Sequence, residues 1–326
     1  SPAKQTTTVV QSGGVVTWQP SLLQNMPDST VYFWRTGLDS LQYGAYNWRE
    51  SSFQYIQGKE GWGQAHFFQF KKDRFDNIDY NRTTRTFDFV PTTKSISCHN
   101  LGFDTLNFDN FNEVEYRING ALGDYGGCGT PSAIHIAVID PGTLENWETC
   151  WTDPNTGIQY NTEHCGWGNT TCNANRPHGY FIYRLNNLNN MANFLNNHVP
   201  DSFYVLAYSW RTGNFQNWSA TQKQPFLNMG ASAFDTITDG SPWIFFGKKG
   251  DPTYASEVVG ANPNSAVDFS MLMQGTFNAG YVTSTLIGPA TEWNSFHWRQ
   301  NSLESPTHDS VRVNLIGVRQ NQTEQV

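Results

Sequence analysis

The sequence predicts a β-rich α/β protein in which an α/β domain is flanked by all-β segments. Aromatic residues make up 15% of the 326 residues and charged residues only 15%, a balance typical of β-rich extracellular modules. A hydrophobic strand pattern at 203–210 leads through an amphipathic segment at 220–229 and a glycine stop at Gly230 into a second apolar strand at 243–246. This strand, helix, strand order predicts the α/β part.

The first 95 residues contain strand patterns and no helical periodicity. Residues 30–37 form an aromatic strand pattern, and residues 84–90 alternate strictly between apolar and polar side chains. Between them, two aromatic arms joined by a glycine-rich connection predict a hairpin over 52–70. Residues 1–95 are therefore expected to form an all-β flanking region.

The middle of the chain predicts buried strands and helices. Segments 114–120, 133–140 and 179–185 are predicted strands, and the continuous apolar run at 133–140 indicates burial on both faces. Apolar residues at helical spacing predict a helix near 188–195. A long excursion at 141–178 is rich in Cys, Trp and Asn, and loops of that length are usually functional or cross-linked.

The last part of the chain returns to strand patterns. Residues 267–275 and 281–288 are predicted strands, and so are 294–300 and 311–318. Together the patterns divide the chain into a flanking region at 1–95, an α/β domain at 96–286 that carries the Cys-rich insertion 141–178, and an all-β segment at 287–326. The pattern of the last segment would allow it to complete the first region as one sandwich.

Charge and motif content exclude several classes of function. The formal net charge is −8, and the 20 Lys and Arg residues are scattered, so no basic surface for nucleic acid is expected. No apolar run is long enough to span a membrane. The motifs of zinc peptidases, serine hydrolases and nucleotide-binding loops are absent. We therefore expect a non-enzymatic protein without a cofactor, and the Ser-Pro-Ala start suggests a piece of a longer chain.

The cysteines cluster in one part of the sequence. They are Cys98, Cys128, Cys150, Cys165 and Cys172. Such clustering predicts local disulfides in an oxidising compartment, with one cysteine left over, and the spacing is not that of a zinc site.

Loop tryptophans are the strongest candidates for ligand contact. The candidate ligand-binding residues are Trp147, Trp151, Trp167, Trp210, Arg211, Trp218 and Asp239. Indole faces stack on sugar rings while nearby polar groups bond hydroxyls. The alternative is that these tryptophans form a small core beneath a disulfide-linked loop.

The segment from about 98 to 285 resembles the interleukin-like EMT-inducer domain family, which also includes a stem module of a protein-O-mannose glycosyltransferase. The resemblance lies in AIHIAVID with PGT, in MANFLNNHVPDSFYVLAYSW, and in LNMGASAF followed by PWIFFGKKG. It implies twisted β-sheets with flanking helices, a stem-type lectin domain, and a first disulfide between Cys98 and Cys128. Where sugar-binding relatives carry charged anchors, this chain has Ser132, Arg211 and Gly240, so those glycan contacts do not transfer.

The segments YFWRT, SSFQYIQGKEGW and IGPATEW resemble large surface proteins exported by the type IX secretion system, some of them gingipain-like or sortase-like. This resemblance implies an extracellular or cell-surface location, neighbouring domains in a longer chain, and contact with secretion-system proteins. Asp-Ser/Thr triplets give weak bacterial O-glycosylation candidates at Ser29, Ser40, Thr105, Thr236 and Ser310. Asp104, Asp109 and Glu113 form a weak calcium candidate, for which turn-forming side chains are the alternative.

The sequence thus predicts a non-catalytic extracellular module that recognises a carbohydrate or another surface ligand. One alternative is a structural spacer or assembly module that contacts neighbouring domains or a secretion-system partner. A more remote alternative is an accessory domain of a secreted peptidase. A ligand-binding module should expose a cluster of Trp, Arg and Asn, whereas a spacer should pack those aromatic residues away.

Overall fold

The computed structural model describes residues 5–10, 18–21, 26–38, 46–59, 61–106, 113–125, 132–150, 152, 156–158, 178–287, 292, 294–298, 300–301, 310–318 and 324–325. It is β-rich with few helices, 39% strand and 13% helix in several small sheets, which confirms the predicted β-rich class. The chain divides into two compact units, Ser1–Ser284 and Thr285–Val326.

The strands are β1 Thr30–Thr36, β2 Arg49–Tyr55, β3 Arg74–Asp76, β4 Ile78–Asn81, β5 Thr86–Phe89, β6 Pro91–Leu101, β7 Glu115–Ile118, β8 Ala121–Tyr125, β9 Ala133–Ile139, β10 Phe181–Arg184, β11 Tyr204–Trp210, β12 Trp243–Lys248, β13 Asp251–Val259, β14 Ala266–Thr276, β15 Tyr281–Thr283, β16 Gly317–Val318 and β17 Glu324–Gln325. The helices are α1 Phe67–Phe70, α2 Leu188–Asn197 and α3 Ala220–Asn228.

A five-stranded antiparallel sheet lies at the centre of the first unit, in the order β10-β9-β11-β12-β13. Every residue of β9 and β11 is buried. Side chains of β11 alternate between two cores, with Val205 and Ala207 in one and Leu206 and Tyr208 in the other. Because both faces are covered, these strands are continuously apolar, as the sequence predicts.

Helices α2 and α3 cover one face of this sheet. Leu188, Met191, Phe194 and Leu195 of α2 are buried in the same core as the sheet, so the predicted helical spacing is confirmed. Helix α3 begins with a capping box between Ser219 and Gln222.

The predicted glycine stop after α3 is also confirmed. Gly230 has φ +100°, and a Cβ atom there would lie 2.3 Å from the carbonyl oxygen of Pro252. Both the left-handed backbone and the close approach therefore require glycine at this position.

A four-stranded antiparallel sheet, in the order β14-β6-β7-β8, covers the other face. Its inward residues Ile96, Tyr116 and Phe269 share a core with Leu206 and Phe246 of the central sheet. Strand β6 pairs with β14 over eleven consecutive residues. It therefore runs without interruption through residue 95, where the sequence suggested a boundary.

Buried polar groups connect the two sheets. The carboxylate of Asp124 on β8 lies 3.0 Å from Nδ1 of His135 on β9, and the hydroxyl of Tyr208 on β11 donates to it over 2.8 Å. Asn100 on β6 donates to the carbonyl oxygen of Trp243 on β12 over 3.0 Å. Because buried polar groups need partners, these bonds fix how the sheets stack.

The prediction of a hairpin over 52–70 is wrong. Strand β2 pairs instead with β1 over seven residues, and Phe67–Phe70 is a short helix. The pairing is favoured by an aromatic cross-strand pair, because the rings of Tyr32 and Phe53 stack with centroids 5.6 Å apart. The predicted strand at 84–90 contains β5, which pairs with β4.

The second unit contains little regular structure among its described residues. Only β16 and β17 pair there, so the strands predicted over 294–300 and most of 311–318 are not formed in the described part. Phe296, Trp298 and Leu315 are exposed, so their apolar side chains gain no burial from a strand at these positions. No helix in the described residues is long and apolar enough to cross a membrane.

Candidate functional site

The tryptophans predicted to face a ligand are largely packed inside the protein. Trp210 is 1% exposed and Trp218 is 6% exposed. Trp210 is the last residue of the central strand, so it lies between the two sheets. Trp218 packs on Phe215 and Phe234, and its Nε1 donates to the carbonyl oxygen of Gly213 over 2.8 Å. The prediction that these two indoles are exposed is therefore wrong.

The excursion tryptophans are only partly described. Trp147 is half-buried, and its ring packs against Phe203 with centroids 5.4 Å apart. It therefore joins the helix-side core, as the small-core alternative for these tryptophans requires. Trp151 and Trp167 lie outside the described residues.

The turn after β11 brings together the polar candidates. Arg211 and Asn214 both have positive φ, +64° and +47°. Asp239 Oδ1 accepts hydrogen bonds from the hydroxyl of Thr212 and, over 3.2 Å, from the backbone N–H of Asn214. The exposed Asp239 therefore stabilises this turn through Thr212 and Asn214, and Arg211 in the turn is half-buried.

An exposed aromatic residue that the sequence did not single out lies beside this turn. Phe103 is 42% exposed and follows β6 by two residues. Its backbone N–H donates to the carbonyl oxygen of Gly240 over 2.9 Å. Gly240 has φ +83°, and a Cβ atom there would lie 3.3 Å from Cβ of Phe103. Glycine thus permits the two loops to touch.

We refer to Gly102–Asp104, Arg211–Asn214 and Asp239–Gly240 as the strand-end cluster. It combines an exposed phenyl ring with the exposed carboxylates of Asp104 and Asp239 and the side chains of Thr212 and Asn214. A ring face can pack on the apolar face of a ligand, while oxygen and amide groups bond its hydroxyls. The cluster therefore suits a polar ligand with one apolar face.

A shallow depression lies on the open face of the four-stranded sheet. Its volume is about 270 Å³, and its lining includes Ser97, His99, Arg117, Asp268 and Ser270. Nδ1 of His99 lies 2.7 Å from Oδ1 of Asp268. This depression was not predicted, because alternating polar residues on a strand also describe an ordinary solvated face.

One ion pair on this face is well defined. Arg117 donates to both oxygens of Glu115, over 2.6 and 2.9 Å. These hydrogen bonds, together with the negative charge of Glu115, raise the pKa of the Arg117 guanidinium. Each of these two side chains therefore neutralises the charge of the other on the open face.

Cys98 and Tyr116, whose pKa values are strongly raised, are buried in the core between the two sheets. Asp124 and His135 are also buried. Burial, followed by the negative charge of Asp124, raises the pKa of the Cys98 thiol and of the Tyr116 phenol. These thiol and phenol groups therefore lie in the core and not on the surface.

Metal ligands are not assembled in the described residues. No group of three or more His, Cys, Asp or Glu side chains lies close enough there to hold an ion. Asp104 is exposed and Glu113 is half-buried, while Asp109 lies outside the described residues. The calcium hypothesis stays a prediction.

The cysteine prediction needs one correction. Cys98 is buried and free, so the Cys98–Cys128 disulfide that the family resemblance implies is not formed in this structure. The thiol lies on the inward face of β6, inside the core between the two sheets.

The other cysteines lie in or beside the excursion. Cys150 is half-buried at the start of the excursion. No disulfide is complete within the described ranges, and Cys128, Cys165 and Cys172 lie outside them. The pairing stays a prediction.

The O-glycosylation candidates are on the surface where they are described. Ser29, Thr105, Thr236 and Ser310 are exposed, and Ser40 lies outside the described residues. The hydroxyl of Thr105 donates to the carbonyl oxygen of Gly102 over 2.9 Å, and that of Thr236 to Ala233 over 2.8 Å. Their modification stays a prediction.

No family model matches the chain, and no curated protein matches it.

Proposed function

We propose that this chain is a non-catalytic recognition module and that the strand-end cluster binds a carbohydrate. The observation that carries the proposal is the exposed Phe103, whose backbone N–H bonds to Gly240, the residue that follows the exposed Asp239. Aromatic faces pack on the C–H faces of sugar rings, and carboxylate and amide groups bond sugar hydroxyls. The rigid ends of β6 and β11 support both loops, which keeps the contact groups ordered before binding.

The wider setting is also a proposal. The helix layer, the central sheet and the second sheet are compatible with the twisted sheets and flanking helices of an EMT-inducer-like, stem-type lectin domain. We propose that such a module lies within a large secreted or cell-surface protein. The clustering of the five cysteines in the sequence is in keeping with an oxidising compartment.

The experiment is binding of the purified chain to a broad glycan array, with variants Phe103→Ala and Asp239→Asn. Phe89→Ala is the matched control, because Phe89 is exposed to a similar extent, 38%, on β5. We expect binding that Phe103→Ala abolishes and Phe89→Ala leaves intact. Binding that is equal in all variants, or no binding by folded protein, would rule out this site.

A second candidate function is assembly with neighbouring domains or a secretion-system partner. It is favoured by exposed aromatic residues on the β1–β2 hairpin, where Phe33 is 62% exposed and Trp34 is 48% exposed. Exposed apolar patches often mark protein interfaces. Capture of a partner from culture supernatant that Trp34→Ala weakens and Phe103→Ala does not would favour this function.

A further inference from the structure

Strand β6 joins the strand-end cluster to the open face of the four-stranded sheet. Its pairing with β14 has no shift in register over eleven residues, so the strand is continuous. The side chains of Ser95, Ser97 and His99 alternate with buried ones and lie on the open face. Phe103 follows two residues after Leu101, at the end where the strand-end cluster lies.

The open face carries groups that bond hydroxyls. Asp268, His99 and Glu115 occupy neighbouring register positions on three strands, and Ser270 lies opposite Ser97. The side chain of Asp268 is 81% exposed, so only one side of its carboxylate is engaged with His99. Carboxylate oxygens accept from hydroxyls, and serine hydroxyls both donate and accept.

We propose that the ligand is an elongated chain of neutral, hydroxyl-bearing units that lies along β6, from Phe103 to the depression around His99 and Asp268. This inference rests on the proposed function and specifies its ligand. At a rise of roughly 3.3 Å per residue, Ser97 in the depression and Leu101, two residues before Phe103, are about 13 Å apart. A ligand that contacts both Ser97 and Phe103 must therefore be longer than one sugar unit, as an oligosaccharide is.

The charge of the protein indicates whether the ligand is neutral or charged. The formal net charge is −8, and the depression itself contains the carboxylates of Asp268 and Glu115. Only Arg117 offers a permanent positive charge there, and it is already bonded to Glu115. The negative charge would repel a polyanionic polysaccharide, so a neutral oligosaccharide fits this face best.

The test uses the whole chain and an array of neutral linear oligosaccharides printed in graded lengths from one to about ten units. Variants are Phe103→Ala, Asp268→Asn and Ser270→Ala, with Asp79→Asn, an exposed aspartate on β4, as the matched control. Thermal unfolding checks that each variant is folded. We expect affinity to rise with length, and Asp268→Asn to weaken the longer chains about tenfold or more through loss of a charged hydrogen-bond acceptor.

The outcomes separate this inference from the proposed function. Short sugars should bind weakly and depend on Phe103 alone, and Asp79→Asn should change nothing. If a mono- or disaccharide binds as tightly as the longest chain, or if Asp268→Asn and Ser270→Ala leave long chains unaffected while Phe103→Ala abolishes binding, the elongated ligand is overturned and the strand-end site stands. If no neutral oligosaccharide binds, the elongated neutral ligand is overturned, and the proposed function falls with it if the broad glycan array is also negative.

Discussion

Cys98 is a residue whose chemistry follows from its burial. Its thiol lies between the two sheets, and burial raises its pKa. Alkylation requires both a thiolate and access, so we expect no reaction of Cys98 with iodoacetamide in native buffer and complete reaction in denaturant. Peptide mass spectrometry measures both. Rapid labelling of Cys98 in the folded chain would contradict its place in the core.

Asp124 is a buried residue whose hydrogen bonds are expected to stabilise the fold. It accepts from Tyr208 and contacts His135 inside the protein. Tyr208→Phe removes one hydrogen bond and should lower the free energy of unfolding by about 1–2 kcal/mol. Asp124→Ala removes the shared partner and should lower it by about 3–5 kcal/mol. Urea unfolding measures both, and Asp79→Ala is the exposed control; similar losses for Asp124→Ala and the control would refute the role.

For single residues, the sequence shows which side chains could contact a ligand, but it predicts poorly which of them are exposed. Trp210 and Trp218 were expected on the surface because they flank a polar turn. The end of a central strand, however, is still covered by both layers, which no local pattern reveals. The only sequence signal for Phe103 as a contact residue is that it is an aromatic residue in a Gly-Phe-Asp segment that follows a strand pattern. Its nearness to Asp239 depends on pairing far along the chain.

The end of helix α2 depends on one lysine. Nζ of Lys249 donates to the carbonyl oxygens of Asn196 and Val199, the former over 2.8 Å. Burial lowers the pKa of Lys249, although Asp201 opposes this. Replacing it with Met should lower the free energy of unfolding by about 1–3 kcal/mol, because helix-end carbonyl groups lose a charged donor. Lys72→Met, at an exposed position, is the control; equal effects in thermal and urea unfolding would argue against this capping.

Elements were predictable where a pattern is local and burial is complete. Strands β9, β11 and β12 and helix α2 carry continuous or periodic apolar residues, and each is found where the sequence predicts it. The hairpin over 52–70 was not correct, because the choice of strand partner is nonlocal and β1 supplied a better one. Strands 294–300 and 311–318 have a strand pattern, but a strand also requires a neighbouring strand with which to pair.

The first unit is a three-layer arrangement, and the proposed binding groups lie on loops at one end of it. The helix layer, central sheet and outer sheet follow from the two buried cores. The sequence predicted the β-rich class and much of the central sheet. It did not predict the strand-end cluster, which forms only when the loops after β6, β11 and α3 meet.

Hydrogen exchange with and without the strongest oligosaccharide from the array tests the central claim most directly. We expect slower amide exchange at 102–105, 211–217 and 239–241 when the ligand is bound, with no change in the β1–β2 hairpin. Phe103→Ala should remove the protection, and Phe89→Ala should retain it. Protection confined to other segments, or none at saturating ligand, would contradict carbohydrate recognition by the strand-end cluster.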